Sequence, residues 1–94
     1  MSELNIKFKI YGRKSCGTCH DVHHKMEYFR NHWLQDAAID YYDMETVDGL
    51  AEGAYNDVSD IPTVVLEKDG KELGRWIKIP PTFDELKTMF SIPK

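Results

Sequence analysis

No stretch of this 94-residue sequence approaches the ~20 consecutive apolar residues that cross a bilayer. The first ten residues interleave Glu3, Lys7 and Lys9 with apolar ones, so they hold no uninterrupted signal-peptide core. These two absences predict a cytoplasmic chain with no membrane partner. Basic charge is outnumbered. The formal net charge is −4, which argues against nucleic-acid binding, and residues 31–60 contain eight acidic side chains and no Lys or Arg. The default reading of that stretch is a solvated acidic face. Internal repeats and low-complexity linkers are missing as well, and the length suits one compact domain over residues 1–94. The most telling scarcity is cysteine, of which there are only two, Cys16 and Cys19. In a reducing compartment such a pair is a catalytic or metal-binding device rather than a structural staple.

The pattern around the pair gives it a place. Ile6, Phe8 and Ile10 alternate with Lys7 and Lys9, predicting a strand over Ile6–Tyr11. After the cysteines, Val22, Met26, Phe29 and Trp33 recur at steps of four, three and four, predicting a helix that ends near Leu34 and buries those four residues. Ile39–Tyr42 is a short β-prone run. Val47, Leu50, Ala51, Ala54 and Tyr55 then fall at helical spacing, interrupted by Gly49 and Gly53, which weaken that helix. Ile61–Leu66 and Leu73–Ile79 read as strands joined through Lys68-Asp69-Gly70-Lys71, a strong hairpin signal. Thr82 with Glu85 three residues on reads as a capping box, opening a helix that carries Phe83, Leu86, Met89 and Phe90 inward. Trp76 is expected in the core and Arg75 on a solvated edge strand. The order β-α-β-α-β-β-α implies an α/β fold, a mixed four-stranded sheet flanked by helices.

The cysteines therefore stand where a strand gives way to a helix, two residues apart, a spacing that closes a small disulfide ring. Unsatisfied N–H groups at a helix start favour a thiolate there. Cys16, nearer those groups and more exposed, is the expected nucleophile, and Cys19, one turn further in, the resolving thiol. Arg13 and Lys14 add positive charge beside Cys16. Thr18 is either a surface residue of the first turn or a hydroxyl able to donate to the Cys16 sulfur.

This order, with Cys16-Gly17-Thr18-Cys19 after the first strand and Ile61-Pro62-Thr63 opening the third, resembles the thioredoxin superfamily in its short, glutaredoxin-sized form. The resemblance implies a thioredoxin-like fold over nearly the whole chain and a cis peptide before Pro62. It also implies that the backbone of Ile61 pairs with an extended substrate. Arg13 occupies the place of a glutaredoxin basic residue. Asp60-Ile61-Pro62 and Gly74-Arg75-Trp76 replace glutaredoxin elements that hold glutathione, and the stretch from Ile61 to Arg75 is closer to thioredoxin. Two thioredoxin features are replaced too, by Ser15 before Cys16 and by Ile10 at the place of a buried aspartate. The combination is similar to glutaredoxin-like proteins that accept electrons from a thioredoxin-type reductase. The implied function is a thiol-disulfide oxidoreductase without organic cofactor, acting as a monomer on disulfide-containing proteins. Its substrate would meet Ile61, Pro62, Arg13, Lys14 and Thr18, and its electrons would come from such a reductase or from glutathione.

Two other chemistries share the residues. Cys16, Cys19, His20 and His23 fall on one side of a helix, so a zinc site, or an iron–sulfur cluster held through Cys16, is the alternative reading, with the fold serving as a metal-binding or regulatory module. Cys16, Cys19 and His20 also spell the attachment pattern of c-type haem, which needs export and a mostly helical pocket.

Overall fold

The computed structural model describes residues 5–93; residues 1–4 and 94, counted in the expected 1–94 domain, lie outside the described residues. Its elements are β1 (Ile6–Gly12), α1 (Gly17–Trp33), β2 (Ala38–Asp43), α2 (Val47–Tyr55), β3 (Thr63–Lys68), β4 (Lys71–Ile77) and α3 (Phe83–Met89). They form a four-stranded sheet in the order β2-β1-β3-β4. β1 runs parallel to β2 and antiparallel to β3, and β3 runs antiparallel to β4. The mixed sheet and the order β-α-β-α-β-β-α are those the sequence implies.

Alternation along β1 divides the molecule into two faces. Ile6, Phe8 and Ile10 point to α1 and α3 and form the main core with Val22, Met26, Phe29, Val64, Leu66 and Leu86. Lys7, Lys9 and Tyr11 point the other way, toward α2. That second face holds a small cluster of Tyr11, Val58 and Val65. Beside it lies a charged lattice: Lys9 Nζ is 3.1 Å from Glu67 and 3.3 Å from Glu52, and Lys7 Nζ is 3.2 Å from Asp40. Burial alone would lower the Lys9 pKa, but the hydrogen bond and charge of Glu67 and the hydrogen bond of Glu52 outweigh it and hold the ammonium above the ordinary lysine range.

Local signals explain most boundaries. Asp69 (φ 54°) and Gly70 (φ 80°) form the two-residue turn between β3 and β4, so Lys68 pairs directly with Lys71. β4 therefore begins earlier than the expected Leu73, and it ends at Ile77 rather than Ile79 because Lys78 turns the chain at φ 70°. β3 begins at Thr63, after Pro62, which has no N–H to give a ladder. The capping box forms in full: Glu85 N–H donates to Thr82 Oγ1 and Thr82 N–H to Glu85 Oε1, both at 3.0 Å.

Three side-chain expectations change. Met89 is 41% exposed, because α3 has only seven residues and buries only Leu86 fully, with Phe83 and Phe90 packed at the margin of the core. Trp76 is half-buried against the core, its Nε1–H donating to Glu85 Oε2 at 3.3 Å. Trp33, expected buried with Val22, Met26 and Phe29, is the third, and it too is half-buried against the core. On α2 the apolar residues keep their helical spacing but lie on the outer side. The two glycines, not the larger residues, face inward: a Cβ on Gly49 would collide with the Asp43 carbonyl, and one on Gly53 would come within 2.6 Å of Met44 Cε. Val47, Leu50 and Tyr55 point to solvent.

Candidate redox site

The end of β1, the start of α1 and the start of β3 meet at one end of the sheet. Tyr11 pairs with Tyr42 on one side and with Thr63 on the other, which brings Gly12 alongside Pro62. Past Gly12 the chain turns through Arg13, Lys14 and Ser15, closed by Cys16 N–H donating to the Arg13 carbonyl at 3.2 Å. Cys16 is the N-cap of α1, with extended backbone, and its Sγ accepts from Cys19 N–H at 3.1 Å. An N-cap acceptor satisfies one of the helix's orphan donors, a task ordinarily done by Ser, Thr, Asp or Asn. The acceptor here is a sulfur.

Cys16 and Cys19 are joined as a disulfide, with their Cα atoms 5.2 Å apart. Cys16 is partly exposed, while Cys19 is fully buried beneath the first turn. Their unequal exposure follows from the helix itself: Cys19 falls on the same stripe as Val22, Met26 and Phe29, which face the sheet.

The support beneath the pair comes from β2. A Cβ on Gly12 would lie 2.5 Å from Tyr41 Oη, 2.6 Å from Cys19 Cβ and 2.9 Å from Cys19 Sγ, so only a glycine fits between them. The Tyr41 hydroxyl donates to the Arg13 carbonyl at 3.0 Å. Its ring stacks on His23 at 4.7 Å and on His20 at 5.8 Å. His20 Nε2 lies 2.6 Å from the Lys14 carbonyl, and since a carbonyl only accepts, that nitrogen carries the proton. Both backbone carbonyls of the Arg13-Lys14 turn are thus anchored, and the two cationic side chains project outward, exposed. Burial raises the Tyr41 pKa, with the Asp43 charge adding to it, so the hydroxyl stays a donor. Burial also lowers the His23 pKa, against the opposing charge of Glu27 and with a smaller contribution from the neighbouring His24 and His20.

The Ile61–Pro62 peptide is cis. Pro62 is buried, Ile61 is half-buried, and the Pro62 carbonyl accepts from Lys78 N–H at 2.7 Å. Arg75, expected as a solvated edge residue, instead ties down the loop that leads to this proline. Its Nη2 donates to the Asn56 carbonyl at 2.7 Å and its Nη1 to the Asp57 carbonyl at 3.0 Å, while Nε and Nη2 hold Glu72 at 3.1 and 2.9 Å. Glu72 is held below the ordinary carboxylate range by that hydrogen bond. On a regular strand, residues three apart face opposite ways, so sequence spacing gave no sign of this pairing. A register shift between Leu66 and Glu67 leaves Leu73 unpaired and brings Glu72 and Arg75 together. Tyr41 was missed for a similar reason, since only the parallel pairing of β1 and β2 brings it to Gly12.

Thr18 is exposed in the first turn of α1. The four-ligand metal reading does not match the arrangement: the two sulfurs are bonded to each other, His20 faces a carbonyl and His23 lies flat on Tyr41. Among the described residues, no group of three or more His, Cys, Asp or Glu could hold a metal ion. Among them, too, no helix is long and apolar enough to cross a membrane.

No protein-family model matches the sequence, and no curated protein does. Solved structures do match. The chain is similar to thioredoxin 1 of the thermophilic eubacterium Thermosipho africanus, at TM-score 0.74 and 17% identity, covering 92% of this chain and 96% of that one. It is similar to thioredoxin O2 of Arabidopsis thaliana in the oxidised state, at TM-score 0.74 and 16% identity over 93% of this chain and 73% of that one. A third match is the malaria parasite's thioredoxin-2, a component of its protein secretion machinery, at TM-score 0.74 and 15% identity over 97% and 85%.

Proposed function

We propose, from a thioredoxin-like fold that carries a cysteine pair at the head of α1, that this protein is a cytoplasmic thiol-disulfide oxidoreductase acting on protein disulfides. The observation that carries the reading is the position of Cys16: partly exposed, capping α1 through its own sulfur, with its disulfide partner buried directly behind it. In the reduced protein, helix N–H groups and the cationic side chains of Arg13 and Lys14 favour the Cys16 thiolate. That thiolate attacks one sulfur of the substrate disulfide, forming a Cys16–substrate bond and expelling the other sulfur as a thiolate, which takes up a proton. Cys19, having lost its proton, then attacks Cys16 Sγ. The Cys16–Cys19 bond re-forms and the second substrate thiol leaves, so two electrons have passed to the substrate. The oxidised state is the one described above. Glutathione or a thioredoxin-type reductase would return the two electrons.

Ile61 and Pro62, at the same end of the sheet as Cys16, are assigned to substrate docking, with Arg13, Lys14 and Thr18 around the reacting sulfur. The test is a pair of variants with a disulfide-bonded protein substrate. Cys16→Ser should abolish turnover, and Cys19→Ser should accumulate the mixed disulfide, detectable by intact-protein mass. Full dithiol activity in Cys16→Ser would overturn the assignment.

A further inference from the structure

The outward side of α2 is apolar. Val47 is 83% exposed, Leu50 53% and Tyr55 85%, and Ala51 and Ala54 are exposed among them. Burying a large apolar side chain is favourable, and the fold gains little of that here, because the helix meets the rest of the molecule through Gly49 and Gly53. Single exposed apolar residues are ordinary, but a contiguous face is a mark of association.

Charge says what kind of association. Every charged residue from Asp43 to Asp60 is acidic. Glu52 is engaged by Lys9, while Asp48, Asp57 and Asp60 enter no ion pair among the described residues. A second copy of the chain laid on this face about a twofold axis would set these carboxylates against one another. We infer that the outward face of α2 is a docking surface for a protein whose contact area is apolar at its centre and ringed by Lys and Arg. The start of α2 also adjoins the redox pair, since Ser15 Oγ, next to Cys16, donates to Glu45 Oε1 at 3.4 Å. A partner seated on α2 thus lies toward the end of the sheet that carries the cysteines, and its role as a disulfide-exchange partner, though not its docking, rests on the function proposed above.

The probes are two short cysteine-free amphipathic helical peptides with the same leucine stripe, one flanked by lysines and the other by glutamates. NMR titration of the whole chain with the lysine peptide should shift α2 amides. Affinity should exceed that for the glutamate peptide by about tenfold, and the gap should shrink at high salt. The double substitution Leu50→Ser with Tyr55→Ser, both at exposed positions, should lose about tenfold in lysine-peptide affinity, the scale of one well-buried apolar side chain. Asp36→Asn, on the α1–β2 connection, should leave that affinity unchanged. Equal binding of the two peptides, shifts spread away from α2, or sedimentation showing self-association through this face would overturn the inference. Reduction of hydroxyethyl disulfide is measured in parallel and should be the same in the double variant. If the parent chain fails to reduce that disulfide while the lysine peptide still docks on α2, the docking surface stands and the oxidoreductase reading falls.

Discussion

Gly12 is where one methyl group should matter most. Its neighbours at 2.5–2.9 Å are a hydroxyl anchored to the Arg13 carbonyl and two atoms of the buried cysteine, none of which is the free end of a flexible chain. Gly12→Ala should therefore cost about 1–3 kcal/mol, as overpacking of a filled site does, read from urea unfolding of the oxidised protein. A parallel Gly17→Ala, with nothing within 4 Å of its Cβ, should change stability little. The cysteines themselves were legible because a lone pair between a strand and a helix has few other uses. The reason for Gly12 was not, because its constraint comes from Tyr41, a residue 29 positions away brought near by strand pairing. Arg75 was hidden in the same way by an irregularity in strand register.

The elements illustrate how a correct periodicity can leave the buried face of a helix undetermined. Apolar spacing from Val47 to Tyr55 does mark a helix, and Thr46 caps it by accepting from Gly49 N–H at 3.0 Å. The glycines read as weak points are instead what allows α2 to lie against the Asp43–Met44 turn. The two are not equivalent. A Cβ at Gly49 meets the backbone carbonyl of Asp43, which cannot move without disturbing the end of β2, whereas one at Gly53 meets the flexible tip of Met44. Gly49→Ala should thus destabilise by about 2 kcal/mol or more. Gly53→Ala should come out near neutral, its gain in helix propensity of up to about 1 kcal/mol offsetting the displacement of Met44. Chemical denaturation of the two variants side by side checks the asymmetry. The remaining elements were legible because their signals are local: a two-residue Asp-Gly turn, a capping box, and a stripe at helical spacing along α1.

For the whole molecule, the two sheet faces differ in how they are held, while the response to pH is set by groups outside the charged lattice. One face is an apolar core; the other is a lattice of Lys7, Lys9, Asp40, Glu52 and Glu67 around a small aromatic cluster. The group shifted in the mildly acidic range is His23, whose pKa lies below its ordinary 6.5 chiefly because of burial. The unfolded chain then binds more protons than the folded one, so stability is greatest above about pH 6.5 and falls as pH drops through the folded value. Glu72 and Glu85, held below their ordinary 4.5, act in the same direction but only under more acidic conditions. Melting temperature should therefore fall between pH 7.5 and 5.5, and His23→Gln should flatten that slope while leaving the loss at lower pH. A slope unchanged by His23→Gln would place the titrating group elsewhere.

On the proposed function, the atom that closes the first turn of α1 is also the atom that gains or loses electrons. Secondary structure and half-cell are for that reason a single thermodynamic cycle. Whatever tightens the Cys19 amide on the Cys16 sulfur when it is a thiolate makes the dithiol a more reluctant donor, and whatever frays that turn makes it a more generous one. Reducing power in this chain is thus open to adjustment by helix-terminus residues that never touch a substrate.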